Sequence, residues 1–412
     1  MAKAKAVEMM SESDAWKHIN LMFGENTVFH PDQIEKVDTF STRSPALDRA
    51  TQVGGWGRGR IYQLAGRPSS GKTFLALVGM AEWQSKDPEN CCVFIDAEYT
   101  YDADWAASLG VDNDRVLLIK TNDGKKIFTG LVGKPMKNKK TGEVKQIEGL
   151  LGMIKAKMTM THTVKGRKIT LKLEKMGMVI LDSIACMQPP AEMESEVGKQ
   201  NYAPLPRFLA VELKKLTPAV AHANICFIAI NHVKTNLGET YGNPDTTPGG
   251  AAWKHACSVM LMVAPVGGKE NVLLDDNEEK YGHKISVKVE KNKLGKPYKK
   301  AEFFIDFTSG VTGIEEQLLE LGCLYGIIER PNNVTYIING ERVSSREKAL
   351  TYVGEHAAIL EEKIRASYLD GEIISVKGEG QPEFTENPFD LGEGDEYEEL
   401  VDENAEEIVV VE

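Results

Sequence analysis

An eight-residue segment, Gly-Arg-Pro-Ser-Ser-Gly-Lys-Thr at positions 66–73, constrains the fold of this chain more than any other stretch. The apolar run at 60–65 before it predicts a short buried strand, and the apolar run at 74–81 after it predicts a helix. A strand, a G-x-x-x-x-G-K-T loop and a helix are typical of a phosphate-binding loop, because the loop's backbone N–H groups surround phosphate oxygens at a helix N-terminus. The sequence therefore predicts a site for a nucleoside triphosphate.

Every position of this loop is a candidate for nucleotide binding. Lys72 is expected to reach the β- and γ-phosphates, and the Thr73 hydroxyl is expected to hold Mg²⁺. The candidate residues are Gly66, Arg67, Pro68, Ser69, Ser70, Gly71, Lys72 and Thr73.

Polar side chains follow three further apolar runs that predict strands. Glu98 follows one such run, and Asp182 comes at the end of the run 178–183. Open parallel sheets bind ligands at the carboxyl ends of their strands. Glu98 is therefore a candidate to orient or deprotonate an attacking water, and Asp182 a candidate to support the Mg²⁺ shell. On position alone, a surface-loop glutamate is the alternative for Glu98. The run 225–232 ends at His232, where a γ-phosphate can be sensed.

The alternation of predicted strands and helices favours an α/β fold with a doubly wound, mostly parallel sheet around a P-loop NTPase core. An amphipathic pattern near the N-terminus predicts a helix that packs either on its own domain or on a neighbouring subunit. We expect a small N-terminal oligomerisation segment at 1–35, an ATPase core at 36–310 with an insertion at 130–176, a small C-terminal α/β domain at 311–370 and a tail at 371–412.

Charge is strongly segregated along the 412 residues, whose net charge is −12. Residues 383–412 hold 13 acidic and no basic side chains, which predicts a disordered acidic tail. Residues 125–175 hold 14 Lys and Arg against 3 Glu. The alternation and the glycines in this basic insertion predict a hairpin or flap. We expect it to contact DNA phosphates, with a solvated insertion as the alternative.

The cysteines and the hydropathy of the chain indicate the cellular compartment in which the protein is expected. The six cysteines show no paired metal spacing and lie mostly in apolar runs, so we expect reduced core residues. No apolar run approaches the roughly 20 residues that span a bilayer, and the N-terminus lacks the apolar core of a signal peptide. These features predict a cytoplasmic protein without a membrane partner.

Several motifs, taken in order, resemble the bacterial RecA recombinase family, and the chain looks like a phage-encoded member of the UvsX type. The similarity covers about residues 40–370 and is interrupted by the basic insertion. The matching blocks lie at 66–73, 94–98, 181–183, 191–198, 241–247, 249–250 and 287–293.

This resemblance implies roles for individual residues. Glu98 would activate water, Asp102 and Trp105 would contact and stack on adenine, and His232 would sense the γ-phosphate. Lys291 and Lys293 would be inserted by one subunit toward the γ-phosphate held by its neighbour. Two loops, at 192–202 and 233–250, would line a filament axis and hold single-stranded DNA. Arg207 would be the basic residue just after the first of these loops. The implied DNA-binding residues are Val197, Gly198, Lys199, Gln200, Asn201, Tyr202, Arg207, Lys234, Thr235, Tyr241, Gly242, Asn243, Thr246, Thr247, Gly249 and Gly250.

The family resemblance also implies the activity. An ATP-dependent recombinase would form a helical filament on single-stranded DNA, search for homologous duplex DNA and exchange strands. It would hydrolyse ATP with Mg²⁺ at subunit interfaces when DNA is bound, and single-strand-binding or mediator proteins would be further partners. The alternatives are a hexameric helicase built on the same core and an ATP-gated scaffold that coats DNA.

Five positions depart from the family pattern. His232 stands where the bacterial members usually carry glutamine, so a titratable ring would make coupling sensitive to pH. His255 stands in place of an interface aromatic residue, and Tyr202 replaces an aliphatic loop residue. Pro204 and Pro206 stiffen the exit of the first loop.

Overall fold

The computed structural model describes residues 12–23, 30, 32, 36–137, 144–164, 166–195, 203–235 and 245–369. The expected acidic tail at 371–412 lies outside the described residues, as do residues 1–11. The helices are α1 (Glu12–Phe23), α2 (Pro45–Thr51), α3 (Lys72–Lys86), α4 (Ala103–Ser108), α5 (Gly124–Val132), α6 (Leu150–Lys155), α7 (Pro190–Met193), α8 (Pro204–Ala223), α9 (Gly250–Ala256), α10 (Ile314–Leu324), α11 (Arg346–Glu355) and α12 (Ala357–Leu369).

The strands fall into one large sheet and several small ones. They are β1 (Thr39–Phe40), β2 (Trp56–Gly57), β3 (Arg60–Gly66), β4 (Cys91–Asp96), β5 (Val116–Lys120), β6 (Lys134–Lys137), β7 (Val144–Ile147), β8 (Thr159–Val164), β9 (Arg167–Lys172), β10 (Met176–Asp182), β11 (Cys226–His232), β12 (Lys234–Thr235), β13 (Asp245–Thr246), β14 (Val259–Pro265), β15 (Val272–Leu274), β16 (Lys280–Asn292), β17 (Lys300–Asp306), β18 (Gly310–Thr312), β19 (Ile328–Asn332), β20 (Thr335–Ile338) and β21 (Glu341–Ser344).

The large sheet has the order β18-β17-β16-β14-β3-β11-β10-β4-β5, with β15 paired to β16. The strands from β14 to β5 are parallel, and β16, β17 and β18 continue the sheet in antiparallel fashion. The predicted α/β fold with a mostly parallel sheet is therefore confirmed. β5 fills part of the long gap that the sequence left between the second and third predicted strands.

Both faces of the sheet are covered, which explains why its central strands are mostly apolar. Along β4 the buried side chains alternate between two cores. Cys92 and Phe94 lie in the core that contains α3, whereas Val93 and Ile95 lie in the core that contains α5, α6 and α8. Helices thus pack on both faces, as a doubly wound arrangement requires.

The basic insertion forms two antiparallel ribbons, β6 with β7 and β8 with β9, joined by α6. A hairpin was expected here, but α6 was not. This helix buries Leu150, Leu151 and Ile154 in the same core as α5 and α8. The described part of the insertion is therefore anchored in the domain core rather than merely solvated.

The β8–β9 ribbon lies at the amino-terminal edge of the large sheet. Lys172 Nζ is 2.5 Å from Glu89 Oε1, and Lys175 Nζ is 2.6 Å from Asp87 Oδ2, just before β4 begins. The phosphate-binding loop follows the other end of its strand. The expected contact of the insertion with DNA therefore remains a prediction about a surface remote from that loop.

The C-terminal part has a core of its own. Helices α10, α11 and α12 pack with the antiparallel sheet β19-β20-β21 around buried residues such as Leu318 and Tyr336. It is tied to the large domain through Gln317, whose Oε1 accepts a 2.7 Å hydrogen bond from Ser44 Oγ. None of the helices in the described ranges has the length and apolarity needed to cross a membrane.

We expect Leu151→Ala to lower the free energy of unfolding by about 2–5 kcal/mol, because truncating a core side chain leaves a cavity. Leu151 is 1% exposed within α6. Lys155→Ala, an exposed position in the same helix, should change stability by no more than about 0.5 kcal/mol. Urea unfolding followed by circular dichroism measures both. Equal effects of the two substitutions would contradict the anchoring of the insertion.

His283 should make stability depend on pH. It is 5% exposed, and neither ring nitrogen has a hydrogen-bond partner among the described residues. Burial, and then the Lys280 ammonium, lower the pKa of its imidazole. The unfolded chain therefore binds this proton more readily, and stability falls as the pH drops below about 6.5.

His283→Leu should remove this loss. We expect urea unfolding at pH values from about 7.5 to about 5 to show a steeper fall in stability for the wild type than for the variant. The free energy of unfolding of the wild type should fall by at most about 1.4 kcal/mol per pH unit more than that of the variant. Parallel stability curves for the two proteins would show that His283 remains accessible to protons in the folded state.

Candidate nucleotide-binding site and adjacent loops

The phosphate-binding loop connects β3 to α3, and two glycines give it its shape. A Cβ atom on Gly66 would lie 2.3 Å from the Val263 carbonyl oxygen and 2.4 Å from Ser70 Oγ. Gly71 has a φ of 95° and precedes the first residue of α3. A side chain is excluded at the first position by contact and disfavoured at the second by backbone conformation. The strand, loop and helix therefore lie as the sequence predicts.

The interior of this loop suits an anion. Lys72 is buried, and its Nζ donates a 2.7 Å hydrogen bond to the Arg67 carbonyl oxygen. Burial lowers the pKa of Lys72, while Asp182 and Glu98 act in the opposite direction. Ser70 Oγ is buried without a hydrogen-bond partner in the part of the chain that the structure describes. A partnerless hydroxyl and the first N–H groups of α3 are groups that phosphate oxygens satisfy.

The other members of the loop form its outer rim. Arg67, Pro68 and Ser69 are all exposed. Their expected contact with the nucleotide stays a prediction.

Thr73 in the first turn of α3 and Asp182 at the carboxyl end of β10 lie side by side. Thr73 Oγ1 donates a 2.9 Å hydrogen bond to Asp182 Oδ2. Burial, and then the Glu98 carboxylate, raise the pKa of Asp182 to about 7, against the effects of Thr73 and Lys72. Within the described ranges no cluster of three or more His, Cys, Asp or Glu side chains has the arrangement of a metal site. One hydroxyl and one carboxylate nevertheless fit Mg²⁺, which keeps most of its waters and takes phosphate oxygens.

Glu98 and His232 are brought together although they are far apart in the sequence. His232 Nε2 is 3.0 Å from Glu98 Oε1, and the two side chains are 36% and 22% exposed. The backbone N–H groups of Ala97 and Glu98 both donate to the Asp182 carbonyl oxygen, at 2.7 and 3.2 Å. The end of β4 is thereby fixed to the end of β10, and the candidate base lies beside the candidate metal ligand.

The two candidate adenine contacts have structural partners of their own. The Asp102 side chain caps α4 by accepting hydrogen bonds from the backbone N–H groups of Asp104 and Trp105, at 2.9 and 3.0 Å. The half-buried Trp105 donates its indole N–H to the Phe307 carbonyl oxygen at 2.7 Å. Their role toward adenine remains a prediction.

Only the ends of the two candidate DNA loops belong to the described residues. Lys234 and Thr235 in β12 pair with β13, and Thr246 Oγ1 donates a 3.3 Å hydrogen bond to the Lys234 carbonyl oxygen. Gly249 and Gly250, with φ values of 110° and 69°, then open α9. Thr247 is half-buried between them and β13. The predicted residues that lie outside the described ranges are Val197, Gly198, Lys199, Gln200, Asn201, Tyr202, Tyr241, Gly242 and Asn243.

Arg207 lies in the first turn of α8, where its side chain is exposed. This helix follows directly on the first candidate loop. Its contact with DNA remains a prediction.

Lys291 and Lys293 lie at the other end of the sheet from Lys72. Lys291 donates to the Lys254 carbonyl oxygen, and Lys293 donates a 2.6 Å hydrogen bond to the carbonyl oxygen of His255, so both ammonium groups lie at the C-terminus of α9. Here β16 ends beside the start of β14. Met260, the partner of Lys291, pairs in turn with Gln63 of β3, so the backbone of Lys291 lies about 10 Å along the sheet from Gly66, where the phosphate-binding loop begins. Both ammonium groups are held at the C-terminus of α9 rather than at the loop of their own chain, and their role toward a neighbour's nucleotide stays a prediction.

Three buried side chains behind the site were missed from the sequence: Gln63, Asn231 and Trp253. All three are fully buried, and Asn231 and Trp253 each donate a hydrogen bond to Gln63. A polar residue inside the apolar run of β3 was the available signal for Gln63. No pattern in the sequence distinguishes Trp253 from an ordinary apolar core residue.

Comparison with known proteins agrees with this geometry. The family model of the RecA N-terminal domain matches residues 10–131 and 164–312, and leaves out the middle of the basic insertion. The chain is 32% identical over 358 residues to Protein RecA of Wolbachia sp. subsp. Drosophila simulans, covering 85% of this chain and 88% of that protein.

Two further relatives match, one of them over nearly the whole chain. Protein RecA of Methylobacterium radiotolerans is 30% identical over 404 residues, covering 95% of both chains. Protein RecA 1 of Myxococcus xanthus is 31% identical over 328 residues, covering 79% of this chain and 83% of that protein. The chain belongs to the RecA recombinase family.

Proposed function

We propose that this protein is an ATP-dependent recombinase that assembles on single-stranded DNA as a helical filament and exchanges strands with homologous duplex DNA. ATP would be hydrolysed at subunit interfaces when DNA is bound. The observation that carries the proposal is the position of Lys291 and Lys293, at the edge of the sheet opposite the phosphate-binding loop. A nucleotide site completed by these lysines requires a second copy of the chain.

Within one chain, the residues around the phosphate-binding loop bind and orient the nucleotide. Backbone N–H groups at the start of α3 and the Lys72 ammonium would hold the phosphate oxygens. Thr73 and Asp182 would hold Mg²⁺, which when bound neutralises charge on the β- and γ-phosphate oxygens. Glu98 would orient the attacking water, since its carboxylate lies at the carboxyl end of β4 beside this pair.

His232 supports a link between hydrolysis and DNA. It is the last residue of β11 and lies 3.0 Å from Glu98, and the second candidate DNA loop starts at the next residue. A change in that loop on DNA binding would therefore move a side chain that touches the candidate base.

Head-to-tail assembly supports the filament. One end of the subunit carries the phosphate-binding loop and the other carries the two lysines, so the interface joins different surfaces of identical chains. Such heterologous contacts form open helices where the rotation does not close into a ring. In α1 the side chains of Leu21, Met22 and Phe23 are 82%, 69% and 70% exposed, which suits contact with a neighbouring subunit.

DNA binding is proposed for the two loops that flank α8 and α9. The exposed Lys234 at the entry of the second loop and Arg207 after the first would contact phosphates, and the loop residues beyond the described ranges would complete the site. Mediator or single-strand-binding proteins would act on the same filament.

We expect negative-stain images on single-stranded DNA, recorded with a slowly hydrolysed ATP analogue, to show continuous helical filaments. A joint-molecule assay with homologous duplex DNA should yield paired products, whereas a heterologous duplex should yield none. Closed six-membered rings would favour the helicase alternative. Filaments without joint molecules would favour a DNA-coating scaffold.

Hydrolysis should be restored by mixing two inactive variants. Lys72→Ala removes the phosphate-binding lysine, and the double variant Lys291→Ala/Lys293→Ala removes the lysines given to the neighbour. Each alone should lose about 10³-fold or more of DNA-stimulated ATPase activity. In an equal mixture, about one interface in four combines an intact loop with intact lysines, so roughly a quarter of wild-type activity should return.

Lys288→Ala is the matched control for the lysine variant, because Lys288 is an exposed lysine on the same strand. It should hydrolyse ATP at the wild-type rate. A mixture no more active than its components would show that the lysines do not act across an interface.

A further inference from the structure

Three buried polar side chains form a cluster beneath the second candidate DNA loop. Gln63 lies in the middle of β3, Asn231 lies near the end of β11, and Trp253 lies in α9. Gln63 Oε1 accepts two hydrogen bonds, one of 3.0 Å from Asn231 Nδ2 and one of 2.5 Å from Trp253 Nε1. All three side chains are 0% exposed. We call them the amide cluster.

Burial of the amide cluster in the core is energetically unfavourable compared with apolar side chains. Gln63 Nε2 is buried and has no hydrogen-bond partner among the described residues. A buried donor without an acceptor is unfavourable, and an apolar side chain of the same shape would avoid that cost. The glutamine is therefore better explained by the geometry that its two accepted hydrogen bonds impose than by a gain in stability.

Asn231 connects the cluster to both ends of the loop. Its Nδ2 donates a second hydrogen bond, of 2.9 Å, to the Pro248 carbonyl oxygen at the exit of the loop. Its Oδ1 accepts a 3.0 Å hydrogen bond from the backbone N–H of His232, the residue that precedes the loop. Gln63 thus fixes one amide that holds the entry and the exit of the loop together.

Trp253 connects the cluster to α9. A Cβ atom on Gly249 would lie 2.8 Å from Trp253 Cβ, so the exit of the loop packs directly on this residue. The last carbonyl groups of the same helix accept the hydrogen bonds of Lys291 and Lys293. α9 is a single short helix of seven residues, so a displacement of its start as a rigid body would also displace its end.

We propose that Gln63 and Trp253 are positioning residues that couple the second loop to two nucleotide sites. Through Asn231 they set the position of the residue that touches Glu98 in their own chain. Through α9 they set the position of the two lysines offered to the neighbour. The cluster thereby converts DNA binding in the loop into faster hydrolysis on both sides of the subunit, and this inference rests on the proposed function.

The test removes hydrogen bonds of the amide cluster with substitutions that keep the core position apolar or aromatic. Gln63→Met removes both hydrogen bonds that Gln63 accepts, and Trp253→Phe removes one of them. Gln63→Met and Trp253→Phe should leave ATP hydrolysis without DNA, and the KM for ATP, within about twofold of the wild type. The ratio of kcat with and without single-stranded oligo-dT should fall about fivefold or more, the size of a typical coupling between sites. Because Gln63→Met already breaks the hydrogen bond that Trp253→Phe removes, the double variant should lose no more than the worse single variant.

Trp83→Phe is the matched control, since it deletes an indole N–H that donates a 3.1 Å hydrogen bond to the Lys175 carbonyl oxygen at the opposite edge of the sheet. Its stimulation by DNA should equal that of the wild type. The inference is overturned if this control loses as much stimulation as the Trp253 variant. It is also overturned if the Trp253 and Gln63 variants keep full stimulation, or lose basal and stimulated rates equally. A wild-type protein with no stimulation by DNA would overturn the proposed function as well.

Discussion

Burial of charge at the carboxyl edge of the sheet is the constraint on which the nucleotide site depends. Asp182 is 3% exposed, and burial together with Glu98 raises its pKa to about 7, while burial lowers the pKa of Lys72. Each group is held partly away from water, and each stabilises the charge of the other. In the proposed function, a triphosphate and a divalent cation would supply the remaining charges. Because the start of α3 and the end of β10 fix these side chains before a substrate arrives, the site would not have to reorganise polar groups during the proposed reaction.

The antiparallel direction of strand β16 gives the two edges of the sheet different functional groups. All the parallel strands end at the edge that carries the phosphate-binding loop, so a lysine at the end of any of them would lie near its own nucleotide. β16 is antiparallel to β14, and its carboxyl end therefore lies at the opposite edge. There the C-terminal carbonyl groups of α9 hold the ammonium groups of Lys291 and Lys293, as expected for cations at a helix C-terminus. If Lys291 and Lys293 act as proposed, a sheet with mixed strand directions is what would allow one fold to bind a nucleotide at one end and complete another site with the other end.

Motifs in which neighbouring residues act together could be predicted from the sequence. The loop around Lys72 and the apolar strands before Glu98 and Asp182 follow from local patterns, and their positions in the sheet follow from the rule for parallel strands. The hydrogen bond from Trp253 to Gln63 joins residues 190 positions apart, and no local pattern encodes such a pair. Helix α6 was missed for a related reason. Its six residues are too few to show a clear period, and they are helical because they pack on α5 and α8.

The place of the basic insertion explains how the fold accommodates it. The insertion leaves the domain after α5 and returns before β10, at the edge of the sheet away from the phosphate-binding loop. Additional residues at that edge do not alter the strand ends that carry the candidate nucleotide site. The insertion and the candidate site are therefore spatially separate. Lys172 and Lys175 pair there with Glu89 and Asp87, which uses part of the basic charge to attach the ribbon to the core. Since surface ion pairs contribute little to stability, burial of Leu151 and its neighbours must supply most of the anchoring energy.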